Sequence, residues 1–204
     1  MTSSGKVLLR LFRNIVPEHM LQTLETVAKK YKHLGTSVSK DSRGNRVATM
    51  LGSYIERGGS GKLWTRKSGK WAGFLQAIDA IGELASGLLA QMCENVAKLL
   101  QHVPDDVKLW KAISVMFWNL SNVSISHVDR LDLVGGLVLP FGNFTGGELD
   151  LVYLNCKVEA RRGDMYFLDS HRVYHTVCES SSGRQSLVFT NHKAVVQRFC
   201  KIEL

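Results

Sequence analysis

A histidine and an aspartate, His127 and Asp129, stand two positions apart in the stretch SHVDRLDL, just before an apolar run broken by glycines. Alternate residues of a β-strand point to the same face of a sheet, so both side chains can reach one metal ion from a single strand end. A third ligand would then come from a strand distant in sequence. The spacing therefore predicts two ligands of a metal site at the mouth of a β-sheet core.

Two histidines compete for the third position, His171 and His175 in the stretch DSHRVYHTV. If both lie on one strand they are about 13 Å apart, which is too far to share a metal ion. We favour His175, because a turn at SSSG would fold its strand back onto the next one and bring His175 roughly opposite Arg184. The predicted metal ligands are therefore His127, Asp129 and His175.

Two histidines and one carboxylate form the facial triad of non-haem iron(II) oxygenases, which leaves three coordination positions open. A 2-oxo acid can fill two of these positions and O2 the third. The remote carboxylate of such a co-substrate needs a bidentate cation, which Arg184 offers in a geometry that lysine does not reproduce. Ser186 lies two residues further on, faces the same way and can donate another hydrogen bond.

The elements that would hold these residues change character along the chain. The first half predicts two amphipathic helices, one beginning at Pro17 and a longer one over 74–100, separated by a polar, basic loop with a short apolar patch. From Trp110 onward, seven or eight short apolar runs at roughly ten-residue spacing favour a barrel or jelly roll. We expect one α+β domain over 1–204, with helical support and a basic loop in 1–110 and a double-sheet β core in 111–204.

The composition agrees with one intracellular domain. The 204 residues are 45% hydrophobic, enough for one sizeable core, and the net charge of +8 lies almost wholly before Lys111, which suggests a surface for a polyanion. We find no apolar leader and no apolar run long enough for a membrane span, so we expect a soluble protein. The four cysteines show no CxxC pairing, and we expect them to be reduced thiols of the core.

Four segments together resemble the Fe(II)/2-oxoglutarate dioxygenase superfamily, whose core is a double-stranded β-helix. They read HVDRLDL, GNFTGGELDL, RRGDMYFLDSHRVYHTV and GRQSLVFTNHKAV. Within the superfamily they are most similar to the TET/JBP branch of nucleic-acid base oxygenases, especially its small single-domain members. The resemblance covers residues 118–196, and the first half of the chain aligns securely with nothing.

The resemblance implies Fe(II), 2-oxoglutarate as co-substrate, and O2. It implies iron ligation by His127, Asp129 and His175, and 2-oxoglutarate binding by Arg184 with help from Ser186. The GGE of residues 146–148 matches a motif that shapes a strand turn near the pocket. Gly163 and Asp164 match a structural turn ahead of the histidine-bearing strand.

The branch also implies a substrate, a methyl C–H bond of 5-methylcytosine or thymine in DNA, and nuclear residence would follow. The basic loop has a suitable composition, because cations neutralise phosphates and aromatic rings stack on bases. We expect Trp71, at the border of the long helix, to anchor the loop to the core. The predicted substrate contacts are Trp64, Arg66, Lys67, Asn119, Asn122 and Arg130.

Two other classes of function remain open. A protein hydroxylase of the prolyl-hydroxylase kind, or a small-molecule hydroxylase, would have the same fold, with the basic half serving solubility alone. A metal-binding β module without oxidation is the second alternative, but it has no need of Arg184 as an anchor for a 2-oxo acid. We expect a monomer that binds nucleic acid, DNA in preference, and no membrane.

Overall fold

A computed structural model describes residues 6–34, 37–41, 44–55, 61–120 and 124–200 of the chain. The strands within these ranges are β1 (Leu9–Phe12), β2 (Ser37–Asp41), β3 (Gly44–Ile55), β4 (Leu63–Arg66), β5 (Val115–Leu120), β6 (Gly136–Phe141), β7 (Leu149–Leu151), β8 (Cys156–Val158), β9 (Met165–Leu168), β10 (Thr176–Val177) and β11 (Gln185–Thr190). The α-helices are α1 (Glu18–Tyr31), α2 (Ala72–Ala77), α3 (Asp79–Met92), α4 (Glu94–Leu100) and α5 (Lys193–Cys200).

Two antiparallel sheets face each other across a cavity. The large sheet has the strand order β1-β9-β6-β11-β5-β3-β2, with β4 paired to β3, and the small sheet has the order β10-β7-β8. Residues of both sheets line the cavity, among them Phe117 and Val188 of the large sheet and Leu149 and Val177 of the small one. The α+β class and the double-sheet core were therefore predicted correctly.

The period-two alternation of the central strand β11 separates the cavity from the main core. Leu187 and Phe189 point away from the cavity and are fully buried in the core cluster that includes residues of α1 and α3. Ser186 and Val188 point the other way and line the cavity. The helices thus cover the outer face of the large sheet and leave its inner face for a site.

The first predicted helix is confirmed as α1, whose apolar stripe is buried against the sheet. Trp71 is also buried, and its ring packs against Tyr31 of α1 and Phe74 of α2. The expected role of Trp71 as an anchor to the core is therefore confirmed.

The long helix predicted over 74–100 is three helices, α2, α3 and α4. The chain leaves helical geometry at Ile78 and again at Cys93, where φ is −137° and ψ is 63°. The first break bends the chain by 72°. Apolar periodicity continues through both breaks because each helix buries one side, α2 and α3 in the main core and α4 in a second cluster with α5, so the pattern alone did not reveal the breaks. No single helix of the described ranges is long and apolar enough to cross a membrane, although the bent pair at the first break passes that test by length and composition alone.

The basic loop predicted between the helices is largely β-structure. The 12-residue strand β3 pairs with β5 in the large sheet, with Met50 opposite Phe117. The first 110 residues thus contribute β1, β2, β3 and β4 to the large sheet in addition to the helices α1 to α4. The apolar patch over 50–55 becomes a strand because β5 offers it a partner, which a sequence window does not show.

All four cysteines are free thiols, but they are not all core residues. Cys156 is exposed on β8, whereas Cys93, Cys178 and Cys200 are partly buried. Burial, helped by the negative charge of Asp169, raises the pKa of the Cys93 thiol to about 11.

Candidate active site

The cavity between the sheets has a volume of about 720 Å³ and is the place where the predicted site residues meet. Its walls carry apolar side chains on both sheets and a concentration of polar side chains at one rim. The polar and charged residues that line it are Asn119, Ser124, His127, Asp129, Arg130, Asp132, Ser170, His175, Arg184, Ser186 and His192, together with Tyr54 and Tyr166.

The structure brings His127, Asp129 and His175 together. The Nε2 atom of His127 lies 3.6 Å from Oδ1 of Asp129, and the Nε2 atom of His175 lies 3.7 Å from Oδ2 of the same carboxylate. One candidate ligand atom from each residue lies within 4.8 Å of the others, an arrangement suited to one metal ion. Among the residues that the structure describes, this is the single cluster of its kind.

Backbone hydrogen bonds hold the two histidines side by side. His127 N–H donates to the carbonyl of His175, and His175 N–H donates to the carbonyl of His127, both at 3.0 Å. This isolated antiparallel bridge joins the segment after β5 to the segment before β10. Asp129 N–H donates to the carbonyl of Ser170 at 2.8 Å, which fixes the third residue on the same frame.

Each imidazole is oriented by a carbonyl two residues before it. The Nδ1 atom of His127 lies 2.7 Å from the carbonyl oxygen of Ile125, and that of His175 lies 2.9 Å from the carbonyl oxygen of Val173. A carbonyl oxygen can only accept, so Nδ1 carries a proton, and Nε2 is the nitrogen that can offer a lone pair to a metal ion. This is the tautomer that metal ligation through Nε2 requires.

His171 lies apart from this cluster, but the premise used to set it aside was wrong. His171 and His175 do not share a strand, since β10 begins only at Thr176 and His171 lies in the turn after β9. The backbone N–H of His171 donates to the carbonyl of Val134, and His171 is not among the residues that line the cavity.

Arg184 is buried at the cavity wall and packed on several sides. Its guanidinium lies over the ring of Phe144, with 5.6 Å between the guanidinium carbon and the ring centroid. It also donates to the hydroxyl of Tyr166; burial raises the pKa of this fully buried phenol, and the nearby guanidinium partly offsets that effect. A Cβ atom on Gly147 would lie 2.6 Å from Arg184 Cδ, so the glycine allows the close approach. Gly146 and Gly147 both have a φ of +75°, in keeping with the predicted turn.

The predicted hairpin between the strands of His175 and Arg184 is not present. β10 pairs with β7 in the small sheet, whereas β11 lies between β5 and β6 in the large sheet. His175 and Arg184 therefore reach one cavity from opposite sheets. The turn residues SSSG predicted a hairpin between neighbouring strands. In the double-sheet fold, however, the strands before and after this turn pair in different sheets.

The predicted substrate contacts fall into different environments. Asn119 lies directly across from Ser186 on the cavity face, and Arg130 is an exposed residue of the cavity rim. Trp64 is 41% exposed and lies opposite Tyr54, a residue of the cavity wall, with Lys62 4.3 Å from its ring centroid. Asn122 lies outside the described residues.

Lys67 and Arg66 contact the protein's own backbone. The ammonium of Lys67 donates to the carbonyls of Asp105 and Lys108, each at 3.0 Å, and its burial lowers the pKa of this lysine. Lys67 thus stabilises a loop and does not line the cavity, and its contact with a substrate stays a prediction. Arg66 is exposed and donates a longer hydrogen bond of 3.4 Å to the carbonyl of Met50.

Several wall residues escaped the sequence analysis. Asp132 is buried and accepts a hydrogen bond of 3.0 Å from the hydroxyl of Ser170, and its backbone forms a bridge with that of His192. A signal for His192 was available, because the period of two that relates Arg184 to Ser186 also reaches residue 192. Asp132 stands three residues after Asp129, a spacing that a strand pattern does not select.

One curated relative is similar in sequence to about a third of the chain. No protein-family model matches the chain. Over 70 residues it is 40% identical to Tet-like dioxygenase 1 of Naegleria gruberi, and the match spans 33% of this chain. The matched part is 22% of the length of that relative, so the chain corresponds to about a fifth of it.

Solved structures show the same fold. NgTET1 in complex with 5mC DNA superposes with a TM-score of 0.74 at 24% identity, over 95% of this chain and 75% of that one. A prolyl-4-hydroxylase of Pseudomonas putida gives 0.55 at 15% identity, over 91% and 92% of the two chains. A 2OG-Fe(II) oxygenase family member of Burkholderia pseudomallei gives 0.54 at 14% identity, over 83% and 78%. The double-stranded β-helix of the 2-oxoglutarate oxygenases and the resemblance to Tet-like proteins are therefore confirmed.

Proposed function

We propose that this chain, which has the fold of the 2-oxoglutarate oxygenases and resembles a Tet-like dioxygenase, hydroxylates a methyl group of a nucleic-acid base with Fe(II), 2-oxoglutarate and O2. The substrate we favour is 5-methylcytosine or thymine in DNA. The observation that supports this proposal best is the convergence of His127, Asp129 and His175 in the cavity that also holds Arg184.

The three residues fit an iron(II) ion. Their donor set is that of the facial triad. In both imidazoles Nδ1 is bonded to a backbone carbonyl and Nε2 faces the Asp129 carboxylate. Bound iron and 2-oxoglutarate would supply the activation of O2, with oxidative decarboxylation of the co-substrate to succinate and CO2. The protein contributes the alignment of the three ligands and a cavity that limits access of water.

The cationic wall fits the far carboxylate of 2-oxoglutarate. Arg184 offers a guanidinium that is already held by Phe144 and Tyr166, so little side-chain entropy is lost on binding. Ser186 adds a hydroxyl on the same face of β11. A guanidinium can donate to both oxygens of a carboxylate at once, which is the group that a dicarboxylic co-substrate would present here.

The rest of the cavity suits a flat, polar-edged substrate. Met50, Phe117 and Val188 give apolar surface, while Asp132 and His192 place a carboxylate and an imidazole on the wall. A carboxylate is a natural acceptor for the exocyclic amino group of cytosine. A base in a duplex would have to leave its stack to enter.

The rim and the net charge favour a polyanion. Arg130, Trp64 and Arg66 remain proposed contacts, with Trp64 as a stacking surface and the arginines near phosphates. The chain carries a net charge of +8. A DNA substrate would imply that the protein resides in the nucleus. We also propose that the protein is a monomer.

The first experiment is base oxidation with the reconstituted protein. Protein loaded anaerobically with Fe(II) and 2-oxoglutarate is exposed to air with DNA that contains 5-methylcytosine, and succinate and modified nucleosides are measured by mass spectrometry. We expect oxidised bases that disappear in His127→Ala. The matched control is His102→Ala, which removes an exposed histidine that does not line the cavity and should leave activity unchanged.

The outcomes separate the candidate functions. Succinate without oxidised bases would contradict the base substrate and direct the search to proteins or small molecules, the alternative that the prolyl hydroxylase fold keeps open. No succinate, and no absorption band from an Fe(II)–2-oxoglutarate complex, would contradict the oxygenase itself.

A further inference from the structure

Several exposed large apolar side chains of the described residues lie beside the candidate active site. Ile125 and Leu131 lie on either side of the His127–Asp129 pair in sequence, and Tyr174 immediately precedes His175. The full set is Trp64, Ile125, Leu131, Val152, Tyr153, Leu154 and Tyr174. Exposed apolar patches of this kind mark contact surfaces more often than chance.

Tyr153 and Tyr174 form the most prominent part of this set. Tyr153 is 77% exposed and Tyr174 is 38% exposed, and their rings meet edge to face with 5.1 Å between centroids. β7 ends at Leu151, and Val152–Leu154 form a short 3-10 turn directly after it, so the contact between the two rings joins this turn to the segment before β10. Val152 and Leu154 flank Tyr153 and are also exposed, so the four residues form one patch, which we call the tyrosine platform.

The tyrosine platform begins one residue from the candidate metal site. Tyr174 is bonded to His175, and the backbone of His175 is held to that of His127 by two hydrogen bonds. Consecutive residues of an extended chain point to opposite sides, so His175 faces the cavity and Tyr174 faces outward at its rim. A strand that delivers one nucleotide to the cavity would carry the neighbouring nucleotide across this rim.

The charges beside the tyrosine platform present positive groups to the solvent. Arg172 is 42% exposed while its partner Asp169 is 1% exposed, and Lys157 is 64% exposed while its partner Asp150 is 25% exposed. In both ion pairs the cation is the outer member. Aromatic rings beside outward-facing cations are the combination that binds single-stranded nucleic acid.

We propose that the tyrosine platform stacks on the nucleotide next to the one whose base enters the cavity, with Arg172 and Lys157 near its phosphates. This inference rests on the proposed function and makes it more specific. A base can stack on a tyrosine ring only if a face is not already covered by its neighbour in a duplex. The substrate is therefore a strand that is single or locally unpaired where it crosses the rim.

The test compares ring removal with ring retention. Binding of a fluorescent single-stranded oligonucleotide with one 5-methylcytosine is measured by anisotropy, next to the same sequence as a duplex. We expect tighter binding of the single strand by the unaltered protein. Tyr153→Ala and Tyr174→Ala should each weaken single-strand binding by about tenfold. Tyr153→Phe, which keeps the ring, should bind as tightly as the unaltered protein.

The catalytic readout distinguishes the tyrosine platform from a structural defect. In the alanine variants the KM for the oligonucleotide should rise while kcat and the absorption band of the Fe(II)–2-oxoglutarate complex stay unchanged. Alanine variants that bind like the unaltered protein, or a loss that Tyr153→Phe shares fully, would overturn the proposal. So would self-association of the unaltered protein in sedimentation that Tyr153→Ala abolishes, since the occupant would then be a second copy.

Failure of the proposed function gives a different result. If the unaltered protein oxidises no base but Tyr153→Ala still weakens single-strand binding, the tyrosine platform stands and the base oxygenase does not. If bases are oxidised equally well by all variants, the tyrosine platform alone is wrong. If the unaltered protein binds no oligonucleotide, both are wrong.

Discussion

Gly147 sets how closely Arg184 can approach the turn between β6 and β7, and its replacement gives a direct test of the co-substrate anchor. Gly147→Ala places a Cβ 2.6 Å from Cδ and Nε of Arg184, so the arginine must move. Hydrogen bonds to charged groups contribute ~1.5–3 kcal/mol, so the KM for 2-oxoglutarate should rise roughly 10- to 100-fold. Steady-state succinate formation at varied 2-oxoglutarate measures it.

The matched control is Gly69→Ala. Gly69 also has a positive φ, +62°, but no atom of the described residues would lie within 4 Å of a Cβ at this position. Both substitutions therefore strain the backbone, and only the first displaces Arg184. An equal rise of KM in both variants would show that strain, and not the contact with Arg184, is responsible.

Asp132 tests the cavity wall beside the metal cluster, where its backbone N–H donates to the carbonyl of Asp129. Asp132→Asn keeps the size of the side chain but removes its negative charge and turns one of its two acceptor oxygens into a donor, which weakens its match to the amino group of cytosine. We expect oxidation of 5-methylcytosine to fall by roughly tenfold or more, at ~1–3 kcal/mol for a well-placed base contact, while succinate formation without DNA persists. Mass spectrometry of nucleosides and succinate from one reaction checks both. A parallel loss of both products would instead place Asp132 in support of the metal cluster.

Cys93 provides a pH-dependent readout. Its pKa is about 11 because burial, aided by Asp169, disfavours the thiolate, whereas Cys156 is exposed. Near pH 8, iodoacetamide should label Cys156 first and Cys93 slowly, since the thiolate is the nucleophile. Because the pKa of Cys93 is raised on folding, its contribution to stability is complete below the ordinary value of 9.0 and is lost as the pH rises through about 11. Peptide mapping follows the labelling, and equal rates at both thiols in the folded protein would contradict it.

Helix α3 carries one glycine in a crowded site and one in an open site. Replacing each in turn tests how closely the helix packs against the core. A Cβ on Gly82 would lie 1.9 Å from the Trp110 ring, whereas no described atom lies within 4 Å of one on Gly87. Gly82→Ala should lower the free energy of unfolding by ~1–3 kcal/mol and the Tm by roughly 2–10 °C. Gly87→Ala should leave stability unchanged or raise it by up to ~1 kcal/mol. Thermal unfolding followed by circular dichroism decides; a Tm for Gly82→Ala at or above that of Gly87→Ala would refute the close contact.

The elements that local pattern determines were predictable. The stripe of α1 and the alternating residues of β11 follow from periods of 3.6 and 2, and the HxD spacing indicated the cluster to which Asp129 belongs. The approach of His175 to His127 was also expected, although the reasoning about the neighbouring strand was wrong. These features depend on residues that lie near each other in sequence or on a residue type that few other positions offer.

The elements that depend on a distant partner were not predictable. β3 is a strand because β5 lies beside it, and β10 joins β7 because the small sheet closes the cavity. Lys67 was interpreted as a substrate contact from its place in a basic run, yet the carbonyls that it binds belong to residues about forty positions later. In each case the deciding interaction is non-local, and a sequence window contains only one of its two sides.

The charge of the whole molecule gives the last prediction. With a net charge of +8, DNA binding should release counterions and weaken by roughly tenfold or more between about 50 and 200 mM salt. Affinity for 2-oxoglutarate should change far less, because Arg184 is buried and poorly screened. Anisotropy titrations for DNA and the absorption of the Fe(II)–2-oxoglutarate complex measure the two. Oligonucleotide binding that is insensitive to salt would favour a protein or small-molecule substrate.

The reciprocal hydrogen bonds between His127 and His175 also determine when the site can form. They join segments that are separated in sequence by β6, β7, β8 and β9, so the bridge closes a long loop. Closing such a loop costs chain entropy, and contacts of this kind form late in folding. A chain still emerging from the ribosome would hold its two imidazoles apart until the small sheet had closed. We therefore expect the protein to bind iron only after folding, so that an incompletely folded chain does not carry a redox-active metal ion.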